Sequence, residues 1–537
     1  MRPPYARTFH ELVAEMAQRA PAAPAVIDRG RVTTYQELAH RAGKVAAALR
    51  GLGLARGHRV GVLLDNRIEW LEVVLGASML GCIAVPLSTW AKRAELEFLL
   101  TDADASVLFT LNRYAGQAPG DDIEALRAAQ AVPPFQRIVC VGSSELPERT
   151  GHGETIWRLY EPFIEGDPLD PLPPGTGASA ADTFVILYTS GSSTRPKAVP
   201  LDQHAAIENG FNIGERMGLQ ADDRVLVSVP LFWSYGCVNA LAATLSHGAC
   251  LVLQSRFEPG EALDLIERHR CTALYTLPAM TNALVGHPSF RPERTTSLRT
   301  GLTIGSPQDV VKAATVLGAS RICNVYGSTE TYGNCCVTWS HWPLEQRANG
   351  QGPPLPGIYI RILHPEADEW CAPGEVGHVE VSGYLTRGYI NASADQNAAA
   401  FTADGYFRTG DLGSWTTDGA FVFAGRSSEI IKRSGINVSP AEVEEILQQH
   451  EDVGLAGVVG LSDPEKGELI IAHVVLKPGR ASSPEALIAH CKAVSSRYKV
   501  PDRVEIVASL PLTPTGKLLR RELKALVAGG GATHQPS

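Results

Sequence analysis

The stretch YTSGSSTRPKAVP, residues 188–200, gathers hydroxyls, a glycine and a lysine directly behind the apolar run Phe184-Val185-Ile186-Leu187. A loop of that composition at the end of a strand offers amides, hydroxyls and one ammonium to phosphate oxygens. It does not fit a P-loop, because Pro196 and Ala198 flank Lys197 where that motif needs glycine and a cation-binding hydroxyl. Three further stretches could do chemistry. NVYGSTE, residues 324–330, sets an aromatic, a tight glycine turn, hydroxyls and a carboxylate behind a strand. GYFRTGDLG, residues 405–413, is followed by FAGRSSEIIKRSGINVSP, residues 423–440. PLTPTGKLLRREL, residues 511–523, places Lys517 in a glycine-containing loop. Singly, each has a plain structural reading: a turn, a packed Tyr-Gly step, a cap, a solvated lysine.

Composition bounds what these stretches can serve. A chain of 537 residues holds more than one domain. Its 44% apolar and 20% charged content describes an ordinary soluble globular protein. A net charge of -9 argues against nucleic-acid or anionic-membrane partners. The longest apolar stretch, Val73 to Leu87, is too short and interrupted to span a bilayer. The first residues lack the apolar segment of a secretory signal, so a cytoplasmic location is expected. Ten cysteines fall at irregular spacings without CxxC pairs, which predicts neither a structural metal nor a disulfide framework. Cys335-Cys336 reads as two small semi-buried residues beside a loop.

The elements that must position the motifs alternate along the chain. Val60–Leu64, Ser106–Thr110, Arg137–Val141, Phe184–Thr189, Arg224–Val229, Ala249–Leu253, Ala273–Leu277 and Arg321–Val325 read as strands. Amphipathic stretches such as Glu261–His269 lie between several of them. Such alternation predicts an α/β fold of mixed layers with mostly parallel sheets. Residues 165–182 are Pro/Gly-rich and read as a surface linker. The pattern changes near residue 426. Ser439-Pro440-Ala441-Glu442 reads as a capping box opening a helix to His450. Strands at Leu455–Val459 and Ile470–Leu476, a helix at Glu485–Arg497 and a strand at Val504–Val507 follow. The expected division is a domain over 1–425, a small α+β domain over 426–528 and a disordered tail over 529–537.

Taken in order and at these separations, the four motifs resemble those of the adenylate-forming (AMP-binding) superfamily of acyl-CoA ligases, peptide-synthetase adenylation domains and luciferases. The resemblance runs from TTYQELAH at residue 33 to the lysine loop at 517. It implies a large N-terminal domain and a small mobile C-terminal lid, with ATP, Mg2+ and coenzyme A as cofactors and co-substrates. Thr189, Ser190, Gly191, Ser192, Ser193 and Lys197 match the pattern that folds over the ATP phosphates, whereas Thr194 and Ala198 stand where glycines are common. By the same resemblance Glu330 holds Mg2+, Thr329 touches the α-phosphate, and Tyr326, followed by Gly327, stacks on adenine, whose edge meets Gly305-Ser306-Pro307. Asp411 takes both ribose hydroxyls, assisted by Arg426, and Lys517 neutralises the carboxylate and the bridging oxygen. Ser428 is the pivot, where Asp or Lys is commoner, and Gly435 faces the pantetheine arm.

The segment PLFWSYGCVNAL, residues 230–241, matches the lining of the acyl pocket, which assigns Trp233, Ser234, Tyr235 and Gly236 to the substrate together with Thr303, Tyr332 and Gly333. Trp233 stands where an aspartate would pair with an α-ammonium, and an unpaired ammonium beside indole is costly to desolvate, so α-amino acids are disfavoured. The function implied is an ATP-dependent carboxylic acid:CoA ligase. It forms acyl-AMP and pyrophosphate, then acyl-CoA and AMP, on an aromatic or short to medium aliphatic monocarboxylate. A stand-alone ligase loading the phosphopantetheine of a carrier protein is the alternative, and a catalytically silent nucleotide-binding regulator a third.

Overall fold

Apolar, β-branched runs with almost no exposed position form the strands Arg59–Leu63, Ile83–Pro86, Val107–Leu111 and Arg137–Val141. That pattern belongs to parallel strands covered on both faces. In the computed structural model, which describes residues 7–147, 156–169, 177–189, 196–365, 369–390, 392–433, 436–463, 466–495, 497–513 and 518–528, they are the middle of a seven-stranded sheet. Its order is Trp157–Leu159, Arg137–Val141, Val107–Leu111, Arg59–Leu63, Ile83–Pro86, Thr183–Thr189 and Lys197–Asp202. The last pair is antiparallel, with Thr189 opposite Lys197. Lys197 therefore opens a strand antiparallel to Thr183–Thr189 and does not stand in the first turn of a helix, unlike the lysine of a P-loop.

An eight-stranded sheet runs Cys336–Val337, Cys323–Tyr326, Thr300–Thr303, Ala273–Tyr275, Arg224–Val227, Cys250–Leu253, Pro24–Asp28 and Arg31–Thr34. It is parallel through its middle and antiparallel at both edges. Helices Tyr35–Gly51, Ile68–Leu80 and Gln203–Met217 contribute to the large core that joins the two sheets. Ile68–Leu80 is apolar all round, as a helix must be when it is packed on every side. Its one buried carboxylate, Glu72, is held by Arg41 Nε at 2.5 Å and by the Tyr160 hydroxyl at 2.5 Å, which removes the cost of an unpaired buried charge.

Ile358–Leu363, Gly377–Gly383, Phe407–Trp415 and Phe421–Arg426 form a four-stranded antiparallel sheet absent from the sequence reading. Its edge strand mixes exposed and buried positions without clean alternation, so no single apolar run announces it. The C-terminal lobe is a second α+β unit. The long hairpin Val453–Asp463 and Gly467–Leu476 is extended by Ile431–Arg433, Ile436–Val438 and Arg503–Ile506. Helices Pro440–Gln448 and Pro484–Val494 cover one face through Val443, Leu447, Leu487 and Cys491. Helix Arg520–Ala528 supplies Leu523 to the other.

Two local expectations change. Pro440 does occupy the first helical turn, but the Ser439 hydroxyl makes no cap bond, and Glu442 reaches Lys499 at 3.3 Å instead of turning back on the cap. Within the expected surface linker, Leu169 is buried and its amide donates to Gly43 O at 2.9 Å. The four-stranded sheet ends at Arg426 and the C-terminal sheet begins at Ile431. The tail over 529–537 lies outside the described residues. No helix among the described residues is long and apolar enough to cross a membrane.

Candidate active site

Several motif residues stand at carboxyl ends of strands: Thr189, Thr303 and Tyr326 each close theirs. Ligands of open α/β sheets bind outside those ends. The TGD stretch is no turn. Asp411 sits inside Phe407–Trp415, and the antiparallel register places it opposite Arg426. That register delivers Arg426 Nε to 2.7 Å from Asp411 Oδ1. The Tyr326 hydroxyl donates to Asp411 Oδ2 at 2.7 Å. Asp411 is only 3% exposed, yet it is a fixed acceptor whose two oxygens retain lone pairs for further donors. Burial, reinforced by the Asp411 charge, pushes the Tyr326 phenol well above its ordinary range and keeps it a donor. The Tyr326 ring stacks on Phe423 at 5.8 Å and leans on Phe421 at 4.5 Å.

A second cluster surrounds Glu330, on the short turn Thr329–Thr331. The Tyr389 hydroxyl donates to Glu330 Oε1 at 2.8 Å, and Lys197 Nζ lies 4.3 Å from the Tyr389 ring centroid. Thr386 and Ile390 lace this segment down: Thr386 N donates to Glu330 O at 2.9 Å, and Ile390 N to Ala198 O at 2.9 Å. Lysine and carboxylate thus meet across one aromatic ring. Burial, then the Glu330 charge, raises the Tyr389 phenol, so it too stays protonated. Tyr389 was missed in the sequence. Its only signal is the composition of TRGYI, an aromatic beside glycine like Tyr326-Gly327.

The donor set fits a nucleotide with its cation. Thr189 Oγ1, Thr303 Oγ1 and Ser328 Oγ are buried without a hydrogen-bond partner among the described residues, which a folded protein tolerates chiefly where a ligand or water completes them. Among the described residues no cluster of three or more His, Cys, Asp or Glu forms a metal cage. A single carboxylate such as Glu330 suits Mg2+, which takes its remaining ligands from phosphates and water. Gly305 precedes Ser306, which caps helix Pro307–Thr315 and exchanges hydrogen bonds with Asp309.

The residues expected around the acid separate into two groups. Trp233 meets Trp90 edge-on at 5.1 Å and Phe232 at 6.1 Å, and it lines a cavity of about 190 Å³. Ser234 Oγ accepts from Thr329 Oγ1 at 3.1 Å, tying this wall to the Glu330 loop. Tyr235 and Tyr332 instead turn into the protein core. The Tyr235 hydroxyl donates to Thr276 O at 3.3 Å, and the Tyr332 hydroxyl accepts from Asp202 N at 2.8 Å. Their phenols satisfy buried backbone rather than enclosing the cavity, and Thr303 is likewise fully buried. Gly236 and Gly333 are close-approach points: an added Cβ would lie 2.2 Å from Pro230 O and 1.9 Å from Asn239 Nδ2. Trp90, Ser228, Arg256 and Met280 line the cavity without any motif to mark them. Ser190, Gly191, Ser192, Ser193, Gly435 and Lys517 lie outside the described residues. Ser428 stands in the short turn Ser427–Glu429 between the two lobes, beside the Ser427 hydroxyl that donates to Gly410 O at 2.9 Å.

With this geometry established, comparison with known proteins is informative. The profile of the AMP-binding enzymes matches residues 13–390, and that of the AMP-binding enzyme C-terminal domain matches 442–517. A feruloyl-CoA synthase of Amycolatopsis is 31% identical over 511 residues, 95% of this chain and 96% of that protein. An indoleacetate–CoA ligase of Aromatoleum aromaticum is 31% identical over 506 residues, 93% of this chain and 94% of that protein. The o-succinylbenzoate coenzyme A synthetase of Bacillus subtilis, solved with ATP and magnesium, superposes with a TM-score of 0.78 at 26% identity, covering 96% of this chain and 99% of the other.

Proposed function

Because the chain belongs to the AMP-binding enzymes, within the adenylate-forming acyl-CoA ligase superfamily, we propose that it joins a compact carboxylic acid to coenzyme A at the expense of ATP. The acid is aromatic or short to medium aliphatic, in keeping with the small aromatic-walled cavity at Trp233. In the first half-reaction a carboxylate oxygen attacks the α-phosphorus, and the bond to the departing pyrophosphate breaks. Two anions must meet, so the protein's work is positioning and neutralisation. Asp411 accepts the ribose hydroxyls, held in place by Tyr326 and Arg426. Thr189, Ser328 and Lys197 offer donors to phosphate, Thr329 exchanges its bond to Ser234 for the α-phosphate, and Lys517 meets the charge shared by the carboxylate and the bridging oxygen. Glu330, oriented by Tyr389, would hold Mg2+, which when bound neutralises phosphate charge. In the second half-reaction the thiolate attacks the acyl carbonyl, the acyl–oxygen bond breaks, and AMP leaves. Ser428 turns the small lobe between the halves, and Gly435 lines the thiol's path.

The Asp411 arrangement carries this reading: a nearly buried carboxylate fixed by a neutral phenol and a cross-strand arginine. A catalytically silent regulator is disfavoured because the relatives named above are CoA synthases and ligases. Coenzyme A is favoured over a carrier protein on the same ground. The test is pyrophosphate release over a library of carboxylic acids, with and without coenzyme A. Acid-dependent release with matching consumption of CoA thiol is expected. Release without thiol consumption would transfer the acyl group to a carrier protein instead.

A further inference from the structure

The cavity beneath Trp233 has a charged corner that the reaction does not use. Its walls are largely apolar, with Trp90, Phe232, Trp233, Leu277 and Met280, but Asp65, Ser228 and Arg256 reach it as well. Asp65 is engaged by its neighbours: Arg29 Nη2 lies at 3.0 Å, Arg67 Nε at 2.5 Å, and the Ser255 hydroxyl donates to its Oδ2. Arg256, exposed at the rim of the cavity, has no ion-pair or hydrogen-bond partner among the described residues, which leaves its guanidinium available to a ligand. Ser228 is 4% exposed, lines the same space, and its hydroxyl has no hydrogen-bond partner among the described residues.

The wall that carries Ser228 is rigid. Asn66 Nδ2 donates to Val227 O at 3.3 Å and to Val229 O at 2.9 Å, while its Oδ1 accepts from Leu231 N at 2.8 Å. That clamp fixes residues 227–231 and hence the approach to Trp233, whose neighbour Ser234 touches the Glu330 loop. A buried hydroxyl without a partner and an unpaired guanidinium over an apolar floor describe a receptor for one polar, negatively charged group.

We propose that this corner receives a second anionic group, carboxylate or sulfonate, at the far end of the acid, with Arg256 as its counter-ion and Ser228 as a hydrogen-bond donor. The inference rests on the acyl-CoA ligase reading and names the substrate class of that site. The reacting carboxylate lies on the Thr329 side of Trp233 and the second anion on the Arg256 side. An acid ending in a methyl group would leave the buried Ser228 hydroxyl unanswered, while Arg256 would keep only its water.

The experiment compares kcat/KM for acid-dependent pyrophosphate release between matched pairs: dicarboxylic against monocarboxylic acids of equal chain length, and ring acids bearing carboxylate, sulfonate or methyl opposite the reacting group. The wild-type enzyme is expected to favour the dianionic member by about tenfold or more. In Arg256→Met, which keeps the apolar stem, that ratio should collapse toward unity, and Ser228→Ala should lower it by a smaller factor. Release that ignores the far group, or a ratio indifferent to Arg256→Met, overturns the inference and leaves the ligase reading intact. So does a raised KM for coenzyme A in Arg256→Met with the acid ratio unchanged, which would give the arginine to the thiol substrate. No pyrophosphate from any acid would remove the ligase reading and this inference together.

Discussion

Asp411 can serve two hydroxyls only if its own orientation costs nothing at the moment of binding, and Tyr326 and Arg426 see to that. Asp411→Ala is expected to weaken ATP binding by about 1.5–3 kcal/mol, from lost hydrogen bonds to a charged group. Isothermal titration measures it, and an unchanged affinity would take the ribose away from Asp411. Tyr389→Phe removes the donor that orients Glu330. The Mg2+ concentration needed for half-maximal pyrophosphate release should rise about tenfold, as for other residues that orient a metal ligand; an unmoved titration would assign Tyr389 to packing alone. At this scale the sequence was partly legible. Tyr326, Glu330 and Asp411 announce themselves through glycines and hydroxyls at their sides. Tyr389 and Trp90 carry no such flag, because their partners are distant in the chain and only the fold brings them together.

Elements were legible where burial leaves a continuous apolar record. Arg137–Val141 was read to its ends and Phe184–Thr189 to within one residue, whereas its antiparallel partner Lys197–Asp202 was not read. The four-stranded antiparallel sheet left no such record, and the TGD stretch, taken in the sequence as part of a motif without an element assigned to it, lies inside a strand. The widened helical segment Tyr235–Leu241 was invisible for a different reason. Its π geometry goes with a close approach: an added Cβ at Gly236 would lie 2.2 Å from Pro230 O, a backbone atom that cannot swing aside. Gly236→Ala should therefore cost about 1–3 kcal/mol through overpacking. Denaturant unfolding is expected to show a lower midpoint at unchanged slope. A midpoint equal to wild type would mean that the segment relaxes without loss.

Across the whole molecule, the last helix is tied to the lobe junction. Arg520, three residues beyond Lys517 in the sequence, reaches Glu429 at 2.7 Å next to Ser428 and also pairs with Glu444. The start of that helix and the proposed pivot thus share one charge cluster, which suits a lobe that turns as a unit. Lys517→Ala is expected to slow acid-dependent pyrophosphate release by about 100–1000-fold, the loss typical of one electrostatic stabiliser. Thioester formation from synthetic acyl-AMP should be largely retained. Equal loss in both assays would deny the lysine its place in the first half-reaction alone. The presence of a second, smaller α+β lobe was legible in the sequence, whereas the Arg520 tie was not, since no local spacing pairs residues 429, 444 and 520.

Arg426 is the last residue of the four-stranded sheet as well as the cross-strand partner of Asp411. In the proposed reaction, the pair that grips the sugar also grips the root from which the smaller lobe grows. Departure of spent nucleotide would then slacken that root, which predicts that AMP release and resetting of the lobe occur as one event.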